Sequence, residues 1–179
     1  MNVRPDQVRS VLDKTLYPVY MVSGDEPLQQ METLDAVRAF LRDQQFTERA
    51  VLDADAQFDW QRLLDEAANM SLFASRRIVE LRLPTAKPGR QGGQIIKQYL
   101  EQPPEDTVLI INAGKLDASS KKSAWYSAVE QNGMVVQCWP IPLEKLNAWL
   151  RQRFQARHMD ADEDVLKYIS LHVAVSYTH

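Results

Sequence analysis

A chain of 179 residues, 45% hydrophobic and 25% charged, has the make-up of an ordinary globular protein and can bury a core without staples. Its one cysteine, Cys138, excludes an internal disulfide and cannot by itself build a zinc site. The net charge of −3 argues against autonomous, non-specific nucleic-acid binding, the single cysteine suits a reducing cytosol, and neither a signal-peptide core nor a run near 20 apolar residues is present in the sequence.

Val8, Val11, Leu12 and Leu16 recur at helical spacing and predict an amphipathic helix over 4–16. Residues 17–23 read as a buried strand with Pro18 near its start, where a missing donor is tolerated. Gly24-Asp25-Glu26 closes that strand. Pro27 suits the first position of a helix whose stripe is Leu28, Met31, Leu34, Val37 and Leu41. A short strand over 48–53 follows, then a helix capped at Asp59 or a neighbour and carrying Trp60, Leu63, Leu64, Ala67 and Ala68.

The strand 78–83 alternates apolar and charged residues, which predicts one exposed face or a place near the sheet edge. Residues 84–93, with two prolines and three glycines, predict a mobile loop before a helix containing Ile95, Ile96, Tyr99 and Leu100. Thr107 to Ile111 is the most hydrophobic segment and reads as a central parallel strand. Ser119 or Ser120 starts a helix through Trp125, Tyr126 and Val129 that Asn132-Gly133 stops, and 134–138 is the fifth strand.

Five strands alternating with helices imply a doubly wound parallel sheet with right-handed crossovers. After Trp139-Pro140-Ile141-Pro142 only helices follow, one striped by Leu143, Leu146, Leu150 and Phe154, the next by Val165, Ile169 and His172. The expected organisation is an α/β domain over 1–140 and the start of a small helical domain over 141–179.

In such sheets ligands bind beyond the carboxyl ends of the strands. The first of these ends, Ser23-Gly24-Asp25-Glu26-Pro27, has one glycine, two carboxylates and no lysine, whereas a phosphate-cradling loop needs further glycines, a lysine and a Ser/Thr. The central strand ends in Asn112, which is neutral and a poor magnesium ligand. Asp25, Glu26, Asp53 and Lys115 together resemble a phospho-accepting receiver site, but Asp53 follows the second strand where a receiver has its acceptor on the third; Asp53 and Asp55 read better as turn residues. His158, His172 and His179 all fall in the helical tail, and no serine has a nucleophile-elbow context. Neither a cofactor nor a catalytic set is expected. Lys145, Arg151, Arg153 and Arg157 form a basic group that either faces DNA or a neighbouring subunit, or is a solvated helix face.

The least ordinary stretch is Met70-Ser71-Leu72-Phe73-Ala74-Ser75-Arg76-Arg77, at a junction between helix and strand that is normally polar. If the preceding helix continued, Leu72 would extend the stripe of Leu64 and Ala68, and Phe73 would sit about 100° further round. The two cannot share one stripe, and periodicity leaves core and exposed anchor equally open.

Residues 70–76 resemble the clamp-binding element of the delta subunit family of bacterial DNA polymerase III. Residues 20–28 are similar to that family's opening strand and degenerate phosphate loop, and Asn112-Ala113-Gly114-Lys115-Leu116 with Ala124-Trp125 to its segment after the central strand. The resemblance covers residues 1 to about 172. It implies an AAA+-like (P-loop-NTPase-like) five-stranded sheet, helices on both faces, no ATP hydrolysis, and the start of a helical lid domain. It further implies that Leu72 and Phe73, with Met70 and Ser71 shaping their approach, form a wedge that enters a pocket on the ring-shaped beta sliding clamp and favours its open form. The implied partners are the delta-prime and gamma/tau subunits and primed DNA, in the replisome of the bacterial cytosol. A full delta subunit is close to twice this length and residues 173–179 depart from the family pattern. The collar domain is therefore expected to lie outside this chain, which should bind the clamp yet assemble poorly into the pentameric loader.

Overall fold

Pairing among the apolar runs makes one fully parallel sheet, in which Asn2–Val3, Met134–Cys138, Val19–Gly24, Thr107–Ala113, Arg76–Leu83 and Phe46–Asp53 lie side by side in that order. The computed structural model describes residues 1–69 and 76–176. Its elements are β1 (Asn2–Val3), α1 (Val8–Leu12), β2 (Val19–Gly24), α2 (Pro27–Asp43), β3 (Phe46–Asp53), α3 (Gln61–Ala68) and β4 (Arg76–Leu83). They continue with α4 (Gly89–Glu101), β5 (Thr107–Ala113), α5 (Ala118–Lys121), α6 (Ala124–Asn132), β6 (Met134–Cys138), α7 (Leu143–Gln155) and α8 (Glu163–Ser176). Contacts divide the chain into two compact units, Met1–Trp139 and Pro140–His179.

The sheet has six strands among the described residues, not five. The additional one, β1, is two residues long and pairs Asn2 with Val135 and Val3 with Val136 on β6. A two-residue strand has no periodicity to read. The predicted helix over 4–16 is shorter than expected: a 3₁₀ turn, Pro5–Gln7, leads into five α-helical residues.

Parallel strands send alternate side chains to opposite faces, and both faces are covered. Tyr20, Val22, Val108, Ile110 and Val136 meet Val8 and Leu12 of α1 and Leu34, Val37 and Leu41 of α2. Val19, Met21, Val79, Leu81, Leu109 and Ile111 meet α3, α4 and α6 on the other face. Each such fully buried aliphatic side chain contributes roughly 1.5–3 kcal/mol of transfer free energy.

Two expectations about this core are corrected. β4 does lie near the sheet edge, between β5 and the edge strand β3, but it lacks the exposed face that its alternation suggested. The charged residue that made β4 look half exposed, Glu80, is fully buried and neutralised by arginines from α2 and β3. Likewise helix α4 begins at Gly89, inside the stretch expected to be a loop. Gly92 serves packing, since a Cβ there would lie 2.4 Å from the Trp60 indole.

The β2–α2 turn depends on Gly24, with φ at +148° and no room for a Cβ, which would fall 2.0 Å from the Cys138 carbonyl oxygen. Gly24→Ala is expected to cost about 2–3 kcal/mol from strain and overpacking, measured as a lower midpoint in chemical denaturation. An unchanged midpoint would mean that the turn relaxes freely.

Candidate functional site

The carboxyl edge of the sheet carries an open cleft of about 420 Å³ lined by Gln30, Asp53, Ala54, Arg82, Asn112 and Gly114, among others. Only two residues, Asp25 and Glu26, join β2 to α2, so no loop is long enough to wrap a phosphate chain. Pro27 at the first turn also removes one of the free N–H groups that a helix N-terminus offers an anion. Gln30 spans the remaining gap, its Nε2 donating to Asn112 Oδ1 at 2.9 Å and to the Ala113 carbonyl at 2.7 Å.

The cations at this edge are already engaged. Lys115 Nζ lies 2.7 Å from Asp25 Oδ2, and Arg82 pairs with Asp53 at 3.4 Å and Glu80 at 3.8 Å. Asp117, which caps α5, is held well below the usual carboxylate range by the Ser120 N–H, the Ser119 hydroxyl and Lys87. Asp53 therefore faces Arg82, while Asp25 and Lys115 face each other, so the receiver-like set is split. The order β6-β2-β5-β4-β3 is also not the 2-1-3-4-5 order of receiver folds. Among the described residues no group of three His, Cys, Asp or Glu side chains is placed to hold a metal ion.

The opposite, amino edge holds the flanks of the other candidate. Met70, Ser71, Leu72 and Phe73 themselves lie outside the described residues. On one flank α3 ends at Ala68, with the Ala67 carbonyl accepting from the buried Thr107 hydroxyl at 3.3 Å. On the other flank β4 begins at Arg76. The Arg76 guanidinium donates to the Gln44 carbonyl at 3.2 Å and stacks 5.2 Å from the centre of the Phe46 ring. Arg77 reaches both sides: it pairs with Glu48 of β3 at 3.0 Å and donates to the carboxylate and the backbone carbonyl of Glu66 on α3, each at 3.3 Å. Neither the Glu80 network nor this arginine pair was read from sequence as functional; the doubled arginine after the Leu-Phe pair was the available signal.

The basic residues of α7 are not brought together. At about 100° per residue, Lys145, Arg153 and Arg151 point to three different sides, while Leu146, Leu150 and Phe154 keep a common stripe. Arg151 pairs with Glu163 of α8, and the Arg153 guanidinium sits 4.5 Å from the centre of the Trp149 ring. Arg157 follows the end of the helix.

Compared with known families, residues 20–139 match the sequence model described as "DNA polymerase III, delta subunit". The chain belongs to that delta-subunit family. It is 28% identical over 174 residues to the DNA polymerase III subunit delta of Haemophilus influenzae, covering 94% of this chain and 49% of that one. Against the same subunit of Escherichia coli it is 28% identical over 163 residues, with coverages of 91% and 48%. The chain thus spans about half the length of the curated relatives it matches. Among solved structures it resembles the DNA clamp loader delta protein of Bacillus subtilis, with a TM-score of 0.65 at 17% identity over 86% of this chain and 48% of that one. This delta-family chain has the AAA+-like parallel α/β fold. No helix among its described residues is long and apolar enough to cross a membrane.

Proposed function

We propose that this chain is the clamp-binding portion of a clamp-loader delta subunit, acting in DNA replication in the bacterial cytosol without hydrolysing ATP. Its wedge, Leu72 and Phe73 with Met70 and Ser71 beside them, enters an apolar pocket on the beta sliding clamp and favours the open ring. The family match over residues 20–139 carries this reading, because it places the junction between α3 and β4 inside the matched region. Delta-prime and the gamma/tau ATPases are its partners in the complete loader, through the collar domain of the full-length protein, and primed DNA is what the loaded ring encircles. Lys145, Arg151 and Arg153, spread round α7, and Arg157 beyond its end contact DNA or a neighbouring subunit singly rather than as a surface.

The competing reading is an active nucleotide hydrolase with an unusual phosphate loop. Against it stand the two-residue β2–α2 connection, the paired state of Lys115 and Arg82, and Gln30 bridged to the end of β5. Calorimetric titration with ATP and magnesium is expected to give no saturable heat. Binding in the micromolar range or tighter would favour the hydrolase.

A further inference from the structure

We infer that the ammonium group of Met1 is the docking group for β1, and that an acyl group on its nitrogen keeps β1 off the sheet. The nitrogen donates to the carbonyl of Glu130, in the last turn of α6, and to that of Gly133, just beyond the helix, at 2.8 Å. Carbonyls in the last turn of a helix have no partner within it and form its negative end, so a cation with several N–H bonds suits them. The attachment continues along the chain. The Val135 N–H donates to the Met1 carbonyl at 2.8 Å, and the Asn2 side-chain amide donates to the Glu130 carboxylate.

Little else holds this segment. Among residues 1–7 only Val3 is buried, and β1 pairs just two residues with β6. An ammonium offers three N–H bonds and a full positive charge. A formyl or acetyl group leaves one N–H, removes the charge and sets a planar carbonyl group beside the nitrogen. At least one of the two bonds to the end of α6 is then lost, together with the attraction to the helix end. With β1 released, β6 becomes the edge of the sheet, and the Val135 N–H is freed to exchange with water.

Amide hydrogen exchange tests the assignment with the chain in four forms: free amine, acetylated on the Met1 nitrogen, preceded by Gly-Ser, and Asn2→Leu with a free amine. In the second and third forms that nitrogen is an amide with one N–H. Exchange at Val135 is expected to be roughly tenfold faster in both than in the free-amine chain, with Met21 and Ile110 of the interior strands at unchanged rates. Asn2→Leu removes only the side-chain bond to Glu130, and a two- to threefold rise at Val135 is expected. Equal protection of Val135 in the free, acetylated and extended chains would overturn the inference. A rise of equal size at Met21 and Ile110 would overturn it too, because the acyl group would then loosen the whole sheet rather than β1. So would an effect of Asn2→Leu as large as that of acetylation, which would assign the docking to the side chain.

Discussion

Leu72→Ala/Phe73→Ala is expected to lose about 4 kcal/mol of clamp affinity, near a thousandfold in Kd, while the protein melts at its wild-type temperature. Buried apolar anchors at the centre of an interface carry roughly 2 kcal/mol or more each when truncated. The two positions are adjacent, so the single variants need not sum to the double. The fold should survive because the elements on either side are held by other residues. Leu63 and Ala67 of α3 and Ile78 and Val79 of β4 are buried in the two sheet-covering cores. Binding at wild-type strength with a melting temperature lowered by several degrees would identify the pair as core instead, and the clamp-binding reading would fall with it.

The sequence foretold most of the architecture because its long elements are locally consistent. The apolar run 107–111 became an interior strand, and Asn132-Gly133 ended a helix; a Cβ on Gly133 would meet the Val19 carbonyl at 2.1 Å. It failed where the deciding contact lies far along the chain. Glu80 looked like a solvent-facing residue because the arginines that neutralise it stand 42 and 31 positions away, at Arg38 and Arg49. Gly92 looked like a loop residue because the Trp60 indole that it accommodates comes from elsewhere in the chain. Among candidate site residues, Asp25 and Lys115 do meet, but as an ion pair. The α7 bases, close in sequence, are separated by the turn of the helix. The proposed wedge was legible only as an incompatibility, in that Leu72 and Phe73 cannot share a helical stripe; its proposed partner comes from the family resemblance alone.

The Glu80 network gives the largest expected effect on stability. Its carboxylate is inaccessible to water and accepts from Arg38 at 2.8 and 3.0 Å and from Arg49 at 3.0 Å, tying α2, β4 and β3 together. The partners differ in their access to water, since the Arg38 and Arg49 side chains are 26% and 39% exposed and Glu80 is 0%. Losing an arginine therefore strands the buried charge, whereas losing the carboxylate leaves arginines that can turn outward. Arg38→Ala is expected to cost about 3 kcal/mol, and Glu80→Leu, which fills the space with apolar volume, under about 1.5 kcal/mol.

The pH dependence separates them further. Burial by itself would raise the Glu80 carboxyl, but the hydrogen bonds and charge of Arg38, with Arg49, outweigh it and hold the group below its ordinary value. A carboxyl depressed in the folded state contributes stability that is fully present above the unfolded value, about pH 4.3, and is lost as pH falls through the folded one. Wild type should lose stability more steeply than Glu80→Leu below that pH, while the two curves run parallel from about pH 6 to 8. Equal acid limbs in urea denaturation, or a Glu80→Leu loss as large as that of Arg38→Ala, would mean that the burden of the buried charge does not rest on Glu80.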